Sequence, residues 1–169
     1  HLALMAADIE SDVDALTVAQ AGVPAVQLHT GGMWHLDADM SRQGMAALES
    51  ENDITFDLII LENVGNLVCP GEFDTGACLN VAILSVPEGD DKPLKYPLMF
   101  EKCQAVIINK IDSMPAFDFD MDNVKAGIAM RYPEAVVFPV SARTGEGMDA
   151  WCEWLKDNVA QYLGENQNG

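Results

Sequence analysis

Basic side chains are scarce in this sequence. Its 169 residues hold 9 Lys and Arg against 27 Asp and Glu, a formal net charge of −18. A field of that sign repels phosphate polymers and anionic lipid, so neither nucleic acid nor a membrane surface is expected as a partner. No apolar run approaches the roughly 18 residues of a membrane span, and no signal-peptide pattern opens the chain. The four cysteines, at positions 69, 78, 103 and 152, form no C-x-x-C pair. That spacing excludes a zinc ribbon and a thioredoxin-like redox pair. No internal repeat or low-complexity block is present. The expectation is a cytoplasmic chain with reduced thiols.

Hydrophobic residues make up 49% of the chain, enough to build a folded core despite the acidity. Short apolar runs rich in β-branched residues recur at 2–6, 24–28, 58–61, 81–86, 105–108 and 135–140. Their apolarity is continuous rather than alternating, as in strands buried on both faces of a parallel sheet. Helix-like segments lie between them, at 12–21, 34–49, 93–102, 121–131 and 148–163. In the last of these, Trp151, Trp154, Leu155 and Val159 form one apolar stripe, which reads as core packing. Strand and helix in alternation predict an α/β fold with a mostly parallel sheet over residues 1–164, followed by a frayed tail at 165–169.

Ligands of open parallel sheets bind at the carboxyl ends of the strands, so the residues just after each apolar run carry the chemistry. Asn109-Lys110-Ile111-Asp112 follows the fifth run without a gap. A strand-end carboxylate such as Asp112 can accept two hydrogen bonds from guanine, one from its ring N–H and one from its exocyclic amine. Adenine presents no such pair. The Lys110 stem can lie along the base, and Asn109 can bind neighbouring loops and the base edge. Ser141-Ala142-Arg143 follows the sixth run and matches a second guanine-reading loop, whose backbone N–H approaches the base carbonyl. Glu62-Asn63-Val64-Gly65 ends the third run with an acid followed by Gly at the spacing of a GTPase second switch. In that switch the acid acts on Mg²⁺, usually through water, and the Gly N–H meets the γ-phosphate; taken alone, the segment reads as a strand-end carboxylate in a turn.

Together these segments resemble the HypB family, the GTPases that assist nickel insertion during [NiFe]-hydrogenase maturation. The resemblance rests on Glu62-Asn63-Val64-Gly65-Asn66-Leu67-Val68-Cys69-Pro70, on Glu88-Gly89-Asp90-Asp91-Lys92-Pro93-Leu94-Lys95-Tyr96-Pro97 and on Asn109-Lys110-Ile111-Asp112. It extends to Thr144-Gly145-Glu146-Gly147-Met148 and to Thr30-Gly31-Gly32 with His35-Leu36. It implies a three-layer, P-loop GTPase-like α/β domain that binds GTP and Mg²⁺ and couples hydrolysis to nickel delivery. Its implied partners are hydrogenase large-subunit maturation proteins and a second copy of the chain in a GTP-dependent homodimer. In that dimer Lys95 reaches the partner's nucleotide; the other reading of Lys95 is a solvated surface side chain. Asp8 and Asp14 resemble the acids of the first switch, with Glu62 as the further Mg²⁺ acid and Gly65 as the γ-phosphate contact. Asp14 reads equally as part of a solvated helix face.

Two departures from the family pattern bear on function. No G-x-x-x-x-G-K-[ST] phosphate loop occurs in the chain, which opens on His1 directly in a strand-like run. The expectation is a chain cut from a longer protein that carries the loop upstream; the alternative is a pseudo-GTPase acting as a metal-binding or docking module. The second departure is in the metal site implied by the resemblance, whose four positions here read Trp34, His35, Asp39 and Cys69. An indole cannot coordinate, so His35, Asp39 and Cys69 remain as donors for Ni²⁺ or Zn²⁺. Asp39 stands at i+4 from His35 and, within one helix, would share its face. The other reading makes His35 a packing residue and Cys69 a loop thiol. Cys78, Cys103 and Cys152 read as core or surface thiols, and Asp90 and Asp91 as a polar loop.

Overall fold

Residues 3–7 are all buried, so both faces of the first strand are covered, as its unbroken apolarity predicts. The computed structural model describes residues 1–8, 13–33 and 35–166. Its chain forms two compact units, His1–Cys78 and Leu79–Gly169, each built on a three-stranded parallel sheet.

In the first unit the elements run β1 (Leu2–Asp8), α1 (Val13–Gln20), β2 (Ala25–His29), α2 (Ala38–Asn52), β3 (Leu58–Glu62) and the short α3 (Cys69–Glu72). The strand order is β2-β1-β3, with Leu4 opposite Ala25 on one side and Ile60 on the other. Alternate residues of β1 face opposite layers. Ala3 and Met5 pack with Leu48 of α2, while Leu4 and Ala6 pack with Val18 of α1. Gly44 is what lets α2 sit so close. A Cβ there would come within 2.7 Å of the Met5 sulfur and 2.9 Å of a Leu28 methyl.

The helix expected at 34–49 begins later, at Ala38, because Asp37 caps it. The Asp37 side chain accepts from the Met40 N–H at 2.9 Å, and its backbone is extended. His35 therefore lies ahead of the helix, and the expectation that it shares a helical face with Asp39 is corrected. The chain leaves α2 through Asp53, which takes the left-handed conformation at φ 52°.

The second unit runs β4 (Val81–Ser85), α4 (Lys92–Lys95), α5 (Pro97–Phe100), β5 (Ala105–Asn109), α6 (Met121–Arg131), β6 (Val136–Pro139) and α7 (Met148–Asn166), with 3₁₀ turns at Val86–Glu88 and Ile111–Ala116. Its order is β4-β5-β6, which puts Ser85 beside Asn109 at the carboxyl edge. One face, Ala105, Ile107, Phe138 and Val140, receives Met148, Trp151 and Trp154 from the α7 stripe. The two indoles stack at 5.5 Å, and Phe138 meets Trp151 edge-on. The alternate residues Val106 and Ile108 are buried too, as are Phe100 of α5 and Val124 and Ile128 of α6.

One helix was expected at 93–102; two short ones stand there. Pro97 separates them by pushing Tyr96 out of helical conformation, to φ −125° and ψ 61°. At the other end of the chain, α7 continues to Asn166, and residues 167–169 lie outside the described ones. Among the described residues no helix is long and apolar enough to cross a membrane.

Candidate functional site

Parallel pairing brings the ends of β5 and β6 to one edge, and two loops leave from there side by side. Asn109, the last residue of β5, ties them together. Its Oδ1 accepts from the Lys110 N–H at 2.7 Å and from the Ala142 N–H, across the gap, at 3.1 Å. Lys110 holds the left-handed conformation at φ 63° and ψ 36°, unusual for a side chain of its length, and so turns the loop sharply. The Ser113 hydroxyl closes that turn by donating to the Lys110 carbonyl at 2.6 Å.

Asp112 is held from the opposite loop. The Ser141 hydroxyl is fully buried and donates to Asp112 Oδ1 at 2.7 Å, while Ser141 Oγ accepts from the Thr144 N–H at 3.2 Å. The second carboxylate oxygen lies 3.8 Å from an Arg143 guanidinium nitrogen, a loose pair on an arginine that is mostly exposed. Gly147 anchors the start of α7 below this loop. At φ 74°, a Cβ there would lie 2.2 Å from the Pro139 carbonyl oxygen.

The loops enclose a concavity of about 410 Å³ lined by Asn109, Lys110, Asp112, Ser113, Ala142 and Arg143. That size suits a small organic ligand. Five of the six residues expected to read a guanine base therefore converge on one hollow, and the sixth, Ser141, stands behind it as the support of Asp112. Ser113 lines the hollow and went unnoticed in the sequence, where a lone Ser after the motif gives no distinguishing signal.

Lys95 forms an ion pair with Asp91 one helical turn before it, at the exposed start of α4. The pair lowers the Asp91 carboxyl pKa and raises that of the Lys95 ammonium, in each case chiefly through their mutual hydrogen bond. Asp90 does more than line a loop. Its carboxylate accepts from the Asp120 N–H at 3.2 Å, and Asp120 in turn caps α6.

In the first unit the residues after β3 meet the loop before α2. Asn63 Oδ1 accepts from the Val64 N–H at 2.8 Å and from the Leu36 N–H at 3.2 Å. Leu36 and Val64 are buried in one cluster with Ala7. The His35 ring lies flat on Phe73, 3.4 Å between centroids, directly after the helix that Cys69 opens. Asp39 is engaged elsewhere, in an exposed ion pair with Arg42. Trp34 and the side chains of Asp8, Asp14 and Cys69 lie outside what the structure describes.

Glu62 ends β3 as an exposed side chain, and Gly65 follows in the turn. Among the described residues, no group of three His, Cys, Asp or Glu converges to hold a metal ion. Cys103, by contrast, is buried, and its thiol donates to the Met99 carbonyl at 2.9 Å. Burial pushes its pKa up to about 11, which suits a packing residue and not a ligand.

Residues 1–139 match the family model described as the CobW/HypB/UreG nucleotide-binding domain. The chain is 46% identical over 155 residues to the hydrogenase maturation factor HypB of Azotobacter vinelandii, covering 92% of this chain and 50% of that protein. It is 40% identical to the hydrogenase/urease maturation factor HypB of Helicobacter pylori, covering 88% of this chain and 62% of the relative. It thus spans about half to three-fifths of the length of these relatives. In three dimensions it is similar to the crystal structure of H. pylori HypB in complex with nickel, with a TM-score of 0.91 and 37% identity. That match covers 95% of this chain and 75% of the solved one.

Proposed function

The chain belongs to the HypB group of the CobW/HypB/UreG nucleotide-binding family, and on that premise we propose that it reads GTP and serves nickel delivery in hydrogenase maturation. The observation that carries the nucleotide half is the hollow between the β5 and β6 loops. There the Asp112 carboxylate is steadied by Ser141 on one oxygen and loosely met by Arg143 on the other. The guanine ring N–H and exocyclic amine displace Arg143 and donate to that carboxylate. The base carbonyl competes with Asn109 Oδ1 for the Ala142 N–H, which is held at 3.1 Å and is the weaker of the two bonds Asn109 accepts. Arg143, swung outward, leaves its positive charge near an anionic nucleotide in a chain of net charge −18.

Phosphate gripping and hydrolysis need a Gly-rich loop of a kind these 169 residues do not contain. The hollow between the β5 and β6 loops supports the base-reading half of the proposal. In the proposal, Glu62 and Gly65, with Asp8 and Asp14, are the Mg²⁺ and γ-phosphate contacts of a GTPase that also has such a loop. Lys95 would leave Asp91 for a nucleotide held by a second copy of the chain, giving a GTP-dependent homodimer in the cytoplasm.

Nickel enters as cargo. His35 and Cys69 are its proposed donors in this chain, with Zn²⁺ as a competitor for the same imidazole and thiolate. The support is the nickel-bound relative and the packing of His35 onto Phe73 beside α3. Asp39, paired with Arg42 and no longer helical neighbour to His35, is the weakest of the three expected donors.

Titration with GMP and AMP, followed through the amide signals of Asn109 and Ala142, tests the base assignment. GMP should move both signals and AMP neither. Equal responses to the two nucleotides would remove the guanine reading.

A further inference from the structure

Two asparagines in this chain make the same joint at the carboxyl ends of parallel strands. Asn109 accepts from the N–H that follows it and from an N–H of a separate loop, 33 residues away, and so builds the base pocket. Asn63 repeats the arrangement after β3. Its Oδ1 takes the Val64 N–H at 2.8 Å and the Leu36 N–H at 3.2 Å, 27 residues away. The base pocket explains the first joint, and base reading has no use for the second.

What Asn63 connects is specific. On one side Val64 leads directly into Gly65, in the turn opened by Glu62. On the other, Leu36 directly follows His35. Leu36 is fully buried and Val64 nearly so, in one cluster, so both backbones are held by packing as well as by the shared oxygen. The His35 ring itself is stacked on the Phe73 ring, 3.4 Å between centroids. An acceptor at Asn63 thus fixes the backbone next to the imidazole to the backbone next to the glycine.

We infer that Asn63 is the positioning residue that holds the His35 loop to the Glu62–Gly65 turn, so that the metal donor and the turn move as one body. The inference rests on His35 being a metal donor, as proposed above. Asn63 touches no metal; it acts only through the Leu36 N–H. A carboxylate has the acceptor that this joint needs, and an aliphatic side chain of similar size does not.

The test uses the chain as it stands, with Asn63→Leu and Asn63→Asp, and Ni²⁺ alone as the probe. In amide hydrogen exchange, Asn63→Leu should strip protection from the Leu36 N–H and Asn63→Asp should keep it. Unchanged Leu36 exchange in Asn63→Leu would overturn the joint whatever the metal does. In Ni²⁺ titrations Asn63→Leu should weaken binding about three- to tenfold, the loss of one ordinary hydrogen bond, and Asn63→Asp should restore it. In a His35→Ala background, Asn63→Leu should bring no further loss. Equal weakening in both backgrounds would show that Asn63 does not act through His35 and would overturn the inference. If His35→Ala alone leaves Ni²⁺ binding unchanged, the metal-donor reading fails and the inference falls with it.

Discussion

The hydroxyl of Ser141 donates to Asp112 across 2.7 Å and so joins two loops that are 29 residues apart in sequence. A fully buried serine is the fixed point here; the aspartate it holds opens onto the hollow. The guanine reading proposed for this hollow depends on that carboxylate keeping one orientation, because both of its acceptors must meet donors on one base edge.

Ser141→Ala should therefore cost on two counts. The bonds from the buried hydroxyl to Asp112 and from the Thr144 N–H are lost, which should lower unfolding free energy by about 0.5–1.5 kcal/mol in a denaturant titration. The loosened Asp112 should also bind GMP more weakly. An unchanged denaturation midpoint would mean that the hydroxyl does not hold the loops together.

Cys69 should be the thiolate that gives Ni²⁺ its charge-transfer absorption. Cys69→Ser should abolish that band, while Cys152→Ser, on the exposed side of α7, should leave it intact. Binding should strengthen as pH rises, because the thiolate is the ligating form. A band that survives Cys69→Ser would sink the donor assignment.

Cys103 should behave in the opposite way. Its pKa, raised by burial from 9.0 to about 11, favours the neutral thiol in the folded state. Stability from this group is fully present below pH 9, where folded and unfolded chains are both protonated, and declines as pH rises from about 9 through 11. Alkylation at pH 8 should label the exposed Cys78 and Cys152 and spare Cys103 until the chain unfolds. Labelling of Cys103 at the rate of the other two would contradict its burial.

The strands were readable because burial on both faces leaves an unbroken apolar run, and each observed strand lies within a residue or two of its run. The hollow between the β5 and β6 loops was readable for a related reason: parallel strands deliver their exits to one edge, so two short motifs in order fall side by side. Helix starts were harder. Asp37 moved the start of α2 past His35 by accepting a single N–H, and nothing in the apolar spacing marks which of several polar residues will cap. Pro97 was visible in the sequence, yet its effect on Tyr96 only matters once a continuous helix is assumed. The role of Asn63 is not visible in its motif, because its second partner lies 27 residues away and only the fold brings it near.

If Asp112 reads guanine, exchanging one atom of its carboxylate should change which base the hollow prefers. Asp112→Asn keeps an oxygen for the Ser141 hydroxyl and places an N–H₂ where the second acceptor stood. Guanine's exocyclic amine then faces a donor, whereas xanthine presents a carbonyl oxygen at that position. Comparing GMP with XMP by amide shifts in wild type and in Asp112→Asn should show the preference moving towards XMP by about tenfold or more, the worth of one charge-assisted hydrogen bond. The fold should be unchanged, since the residue sits in a strand-end loop. An identical GMP-to-XMP ratio in both proteins would mean that Asp112 does not read guanine, leaving the hollow between the β5 and β6 loops without a base to read.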